Sequence, residues 1–228
     1  MNILFVGFGG MGCRHAQSFL NKDNQHKLFV VEPVEDLYTS NLTRIGAEDS
    51  DFVRFKSIDK VDCQIDFAVV ATPAEPRFSI VEELLAKQTK TFLLEKVVFQ
   101  SIEQFEKIIS MMNANDARAY CNFVNRYFPQ YLTIQTGLQE KNTPIQMHVR
   151  GGDFGLGCNG LHYIDLFEYF TQQKSINYSA QLTESSKGNK RGSQYKEVNG
   201  TVICHTSEND IFTISSLPDK KVGVEITI

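Results

Sequence analysis

The sequence predicts an α/β fold: a doubly wound parallel sheet, then a smaller α+β domain with an open, mostly antiparallel sheet. Three observations predict it. Short apolar strands alternate with amphipathic helical stretches through the first half of the chain. A glycine-rich turn separates the first strand from the first helix. After about Cys121 the strands change from continuously apolar to alternating. Continuous apolar runs suit strands covered on both faces, whereas alternation suits a sheet with one solvated face.

The predicted strands of the first domain lie at 2–6, 27–31, 52–55, 65–71 and 91–94. The runs IDFAVVA and TFLL are almost wholly apolar. Helical patterns at 11–21, 76–87 and 102–112 fill the gaps, and Ile102, Phe105, Ile108, Ile109 and Met112 recur at helical spacing. Strand, helix, strand in this rhythm implies right-handed crossovers. The first domain is placed at 1–121 and the second at 122–228. In the second, Ile176, Tyr178, Ala180 and Leu182 share one side of a strand, as do Val222, Val224, Ile226 and Ile228. A turn at 217–221 precedes the last strand, and 184–193 reads as a mobile loop.

Charge and composition exclude several function classes. The chain has 228 residues and a net charge of -4, from 23 basic and 27 acidic side chains. Nucleic-acid binders usually show a basic balance or stripe. The densest basic stretch here, 187–191, sits among Gly and Ser and reads as a solvated loop. The five cysteines, Cys13, Cys63, Cys121, Cys158 and Cys204, are scattered and form no CxxC pair. That argues against a disulfide framework and a zinc site. No segment approaches the roughly 18 apolar residues of a membrane span, and the opening apolar run is too short for a signal peptide. A reduced, soluble, cytoplasmic protein is expected, with neither membrane nor nucleic acid as partner and no bound metal.

Residues 7–12 read Gly7-Phe8-Gly9-Gly10-Met11-Gly12. A GxGxxG match means little alone, but here it follows a strand and opens a helix, the context of the Rossmann dinucleotide fingerprint. Gly7 allows the tight turn, Gly9 lets the backbone approach a pyrophosphate, and Gly12 permits close helix–strand packing. Gly10 and Met11 complete the turn, whose helix N-terminus offers N–H groups to phosphate. Glu32 ends the second strand, 20 residues after Gly12. A carboxylate there accepts the ribose hydroxyls and repels a 2′-phosphate, and no arginine follows at once to compensate. The expected cofactor is NAD, in preference to NADP.

With these residues in place the chain resembles the Gfo/Idh/MocA oxidoreductases. The resemblance rests on five segments in order: Gly7–Ala16 (GFGGMGCRHA), Ala71-Thr72-Pro73, Glu95-Lys96, Arg126-Tyr127 with Pro129, and Gly160-Leu161-His162-Tyr163-Ile164-Asp165. It covers residues 1 to about 170. It implies a nicotinamide cofactor on the first domain, touching Ala71, Thr72, Pro73, Glu95 and Lys96 besides the glycine turn and Glu32. It implies a sugar, cyclitol or nucleotide-sugar substrate lying against the second domain, near Lys96, Arg126, Tyr127, Cys158, His162 and Asp165. In relatives the lysine and the helix histidine sit at the reacting carbon.

The chemistry of the residues agrees. Ligands of open α/β sheets gather at the carboxyl ends of strands, where Lys96 follows TFLL. A lysine there stabilises charge developing on the reacting oxygen; position alone would equally allow a surface lysine. His162 and Asp165, spaced i, i+3, share a helix face. His162 suits the general acid/base, and Asp165 either orients it or binds a substrate hydroxyl. A plain helix start with a satisfied histidine and a capping-type acid is the alternative. His15 reads as structural, while His148 and His205 read as sheet positions.

The chain departs from the family pattern in three places. Val97 stands where the Glu-Lys-Pro motif has proline, and Cys158 where relatives often carry an aspartate four residues before the helix histidine. The chain also stops at Ile228, short of the usual family length, leaving a different sheet edge for any homo-oligomer. Three readings stay open: an NAD-dependent dehydrogenase or reductase of CH–OH groups, a non-catalytic NAD or sugar sensor, and a reductase of a carbon–nitrogen or carbon–carbon double bond.

Overall fold

The computed structural model describes residues 1–20, 26–140, 143–173, 177–185, 195–218 and 222–228. The chain divides into two compact units, Met1–Asn122 and Phe123–Ile228.

In the first unit, strands β1 (Asn2–Val6), β2 (Lys27–Val31), β3 (Val53–Phe55), β4 (Phe67–Val70), β5 (Thr91–Leu94) and β6 (Arg118–Cys121) form one sheet in the order β3-β2-β1-β4-β5-β6. Every pairing in it is parallel. The chain winds outward from β1 to β3, then returns to the far side of β1 with β4. Strand order therefore reverses between β1 and β4, and the loops leaving these two strands diverge to open a crevice at their carboxyl ends.

The central strands are apolar throughout because both faces are covered. Along β1, Leu4 and Val6 enter one core, with Val81, Leu84, Leu85, Ile108 and Met112 from helices α3 (Ala74–Ala86) and α4 (Ile102–Ala114). The alternate residues Ile3 and Phe5 enter the opposite core. There they meet Cys13 and Ala16 of α1 (Gly12–Gln17) and Tyr38, Leu42 and Ile45 of α2 (Glu35–Ile45). Burying one Leu, Val or Phe contributes roughly 1.5–3 kcal/mol, so these two layers hold the crevice in shape. The apolar row of α4 is only half used. Ile108 and Met112 are buried, but Ile102, Phe105 and Ile109 are exposed, because one side of the helix packs beside α3. Ser101 caps α4 by accepting a hydrogen bond from the Gln104 N–H.

In the second unit, α5 (Pro129–Gln139), β7 (Gln146–Gly152) and α6 (Leu156–Thr171) precede β8 (Asn177–Glu184), β9 (Val198–His205), β10 (Ile211–Leu217) and β11 (Glu225–Thr227). The sheet order is β11-β7-β10-β9-β8, antiparallel except for β10 beside β7. Met147 and Val149 of β7, Phe212 and Ile214 of β10, and Leu166, Phe167 and Phe170 of α6 form its core.

Two sequence expectations change here. β8 is exposed along its whole length, so Tyr178, Ala180 and Leu182 share a solvent-exposed side; Ile176 lies outside the described residues. The last strand is only three residues long, and of its expected inward row Val224 and Ile228 are exposed while Ile226 packs on the core. β11 pairs with β7 at the sheet edge through Glu225–Thr227, and ahead of it the Gly152 N–H donates to the Val222 carbonyl. The basic stretch at 187–191 and most of the loop at 184–193 lie outside the described residues, as do 219–221 of the turn.

Candidate active site

The glycine turn grows from the end of β1. The Gly7 N–H donates to the Val31 carbonyl and the Ala71 N–H to the Val6 carbonyl, so the ends of β1, β2 and β4 are joined. Gly7 has φ +84°, a conformation that disfavours side chains. A Cβ on Gly12 would stand 1.9 Å from the Gly7 carbonyl oxygen, which leaves glycine as the residue that fits. At Gly9 a Cβ would meet nothing within 4 Å: the turn is packed on one side and open on this one. Gly10 and Met11 are exposed.

Across the crevice, Thr72 Oγ1 is buried with no hydrogen-bond partner among the described residues. An open backbone at Gly9 and an orphaned hydroxyl at the next loop suit a polar ligand laid over the turn. NAD fits these residues. Glu32 is 5% exposed and already oriented: its Oε2 accepts from the Phe8 N–H and its Oε1 from the Val34 N–H, both at 3.0 Å. Each carboxylate oxygen keeps a second acceptor site, enough for two ribose hydroxyls.

Two arginines join this end from a distance. Arg54 on β3 donates to the Glu32 carbonyl from Nε at 3.0 Å and Nη2 at 2.9 Å, pairs with Glu35 and lies 4.6 Å over the Tyr38 ring. These bonds fix it on the Glu32 backbone, and Glu35 balances its charge. Arg44, from the last turn of α2, puts Nη1 3.4 Å from the Cβ position of Gly10 and brings a cation to the turn.

At the end of β5, Glu95 is 8% exposed and meets two side chains from other elements. Its Oε1 lies 2.8 Å from His15 Nε2 and accepts from Asn122 Nδ2 at 2.7 Å. Burial pushes the Glu95 carboxyl up, but hydrogen bonds from His15 and Asn122, with the nearby charges of His15 and Arg77, outweigh it and hold it below its ordinary value. Lys96 follows, half-buried, and the Lys96–Val97 peptide is cis. Arg77, 2% exposed on the first turn of α3, donates to the carbonyls of Thr72, Glu95, Val97 and Val98.

In the second unit α6 carries Cys158, His162 and Asp165. His162 is half-buried, its ring edge-on to Phe123 at 5.8 Å between centroids. With Asn125, Phe154, Asn159 and Tyr163 it lines a cleft of about 220 Å³. Asp165 is brought together with Arg126, whose Nε donates at 2.9 Å and whose Nη2 donates to the other oxygen. Burial raises the Asp165 carboxyl above its ordinary value, opposed by that guanidinium. Arg126 also lies 5.3 Å over the Tyr169 ring, and Tyr127 is 73% exposed. The Cys158 N–H donates to the Glu197 carboxylate at 3.2 Å, which caps a helix whose own N-cap, Gly155, has no side chain to do so.

Sequence reasoning missed Arg77, Arg44, Arg54, Asn122 and Asn159. Arg77 alone left a signal: an arginine in a first helical turn opposes the helix dipole, which favours acid there. Among the described residues no His/Cys/Asp/Glu group could hold a metal ion. No described helix is long and apolar enough to cross a membrane.

A parallel sheet with this strand order, a glycine turn at its switch point and a fixed acid beyond defines a Rossmann-type NAD-binding protein. Residues 1–123 match the family described as "Oxidoreductase family, NAD-binding Rossmann fold", and the chain belongs to that Gfo/Idh/MocA family. No curated protein matches the sequence.

Among solved structures the chain is similar to GenD2 from gentamicin A biosynthesis, in complex with NAD. The identity is 19%, the TM-score 0.75, and the match covers 99% of this chain and 68% of that one. It is similar also to myo-inositol dehydrogenase from Lactobacillus casei, in complex with NAD(H) and myo-inositol, at 12% identity and TM-score 0.76, covering 99% and 70%. A third is a super-repressor mutant of Gal80p from Saccharomyces cerevisiae, at 16% identity and TM-score 0.77, covering 99% and 70%. At these identities the likeness is one of fold.

Proposed function

We propose that the chain is an NAD(H)-dependent oxidoreductase that moves hydride to or from a hydroxyl-bearing carbon of a sugar, cyclitol or nucleotide sugar. The observation that carries this reading is Lys96 at the carboxyl end of β5, next to a glutamate held by His15 and Asn122. Bound NAD supplies the hydride acceptor, and its reduced form the donor.

The protein's part is orientation and proton handling. Gly7, Gly9, Gly10, Met11 and Gly12 seat the pyrophosphate, Glu32 the ribose, and Ala71, Thr72, Pro73, Glu95 and Lys96 the nicotinamide end. Lys96 Nζ donates to the reacting oxygen and stabilises its negative charge. His162 takes the hydroxyl proton on oxidation and returns it on reduction. Asp165 and Arg126 brace the helix that presents His162, while Tyr127 and Cys158 border the substrate. The free cysteines suit a reducing, cytoplasmic setting, and the exposed β8 edge is where copies of the chain would pair.

The test is reduction of NAD by a panel of polyols and sugars. Lys96→Ala is expected to keep NADH affinity and lose turnover by a factor on the order of 100. His162→Asn is expected to slow the reaction and flatten its pH profile. Unaltered turnover in the first variant, or an unaltered profile in the second, contradicts the assignment.

A second reading, a non-catalytic NAD- or sugar-binding regulator, is favoured by Cys158 where relatives often carry aspartate. NADH-dependent stabilisation without turnover on any substrate supports it.

A further inference from the structure

We propose that Arg77 is a positioning residue that locks together the loops carrying Thr72 and Lys96, and so sets the nicotinamide end of the cofactor site. This rests on the hydride-transfer reading. The residue sits where neither helix propensity nor solvation would put it. Its positive charge lies in the first turn of α3, against the helix dipole, in a side chain 2% exposed. Arginine is almost never this buried unless its donors are satisfied.

Here both terminal nitrogens of the fork, Nη1 and Nη2, are satisfied by main chain. Nη2 donates to the Thr72 carbonyl in the loop after β4; Nη1 donates to the Glu95, Val97 and Val98 carbonyls in the loop after β5. Helical side chains lean toward the helix N-terminus, which carries this one back over the crevice end of the sheet. Adjacent strands lie about 4.8 Å apart, and one planar guanidinium bridges the two loops. Three of the four carbonyls flank Lys96 on either side, so the backbone that aims its ammonium is held at both ends. Lysine would keep the charge but has one nitrogen, which cannot serve both loops with the same fork.

The test compares the unaltered chain with Arg77→Lys, each titrated with NADH by nicotinamide fluorescence and with ADP by calorimetry. ADP carries the adenosine and pyrophosphate but no nicotinamide, so it reports on the glycine turn and Glu32 alone. In Arg77→Lys, ADP affinity is expected to stay within about twofold, while NADH binds about fivefold or more weakly and its fluorescence change on binding is reduced. NADH binding equal to that of the unaltered chain overturns the proposal, and so does an equal loss of ADP and NADH.

If Arg77→Lys does not melt cooperatively, hydrogen exchange on the unaltered chain decides. NADH, and not ADP, is expected to slow exchange around Thr72 and across 95–98 together; slowing of one loop alone overturns the proposal. An unaltered chain that binds neither nucleotide overturns the hydride-transfer reading and this proposal with it. If it binds NADH, the cofactor site stands, turnover decides the hydride-transfer reading, and Arg77→Lys decides the role of Arg77.

Discussion

His15 on the first helix and Glu95 at the end of β5 are 80 residues apart in sequence, and their Nε2 and Oε1 atoms are 2.8 Å apart. The contact ties the helix of the glycine turn to the residue before Lys96. The first and second halves of the cofactor site are thereby one piece.

That contact has a pH signature. The Glu95 carboxyl is held below its ordinary value of 4.5, so its ionised form stabilises the fold. The contribution is present above about pH 4.5 and is lost as the pH falls through the folded value. Glu95→Gln is expected to cost about 2 kcal/mol at neutral pH and to flatten the acid limb of a melting-temperature profile. An unchanged acid limb in the variant removes Glu95 as its source.

The two ends of the glycine turn should separate folding from binding. Gly12→Ala forces a Cβ to within 1.9 Å of the Gly7 oxygen, and a loss of about 3 kcal/mol or more is expected. Gly9→Ala meets no atom within 4 Å, so stability should change by no more than ~0.5 kcal/mol. NADH binding should nevertheless weaken, because the methyl occupies the face that the pyrophosphate approaches. Thermal melts beside a fluorescence titration distinguish the two effects.

Arg44 places its cation beside Gly10. Arg44→Ala is expected to weaken NADH and ADP alike, by about fivefold at low ionic strength, and by less as salt screens the phosphate contact. A loss confined to NADH would place Arg44 elsewhere.

Asp165→Asn leaves the Arg126 guanidinium without its carboxylate. Arg126 is one-third exposed, so the loss should be modest, roughly 1–2 kcal/mol. Chemical denaturation measures it directly, and a neutral result would show that Arg126 finds compensation in solvent.

What the sequence made legible was local. The glycines of the turn, Glu32, Lys96 and His162 could be proposed from sequence because each sits at a fixed offset from a strand or in a short motif. Helix α2 was missed because its buried row, Tyr38, Asn41, Leu42 and Ile45, includes a polar member and reads as broken. Arg77 and Asn122 act through hydrogen bonds on partners 5 and 27 residues away, and Arg44 lies beside Gly10, 34 positions earlier; such contacts have no period in the chain. For Asp165 the sequence offered two roles, orienting His162 or binding a substrate hydroxyl; its bond partner Arg126, 39 residues earlier, takes both carboxylate oxygens and left no signal in the spacing. The alternation that predicted a long last strand was real, but the ladder with β7 runs from Glu225 to Thr227, and Val224 and Ile228 on either side of it are exposed.

The most direct test of the central claim is parallel titration of the purified protein with NADH and NADPH, repeated with Glu32→Ala. NADH should bind with a change in nicotinamide fluorescence and in clear preference to NADPH, and the substitution should narrow that preference. Failure of both nucleotides to bind, or equal binding that Glu32→Ala leaves unchanged, would contradict the site built on the glycine turn and Glu32.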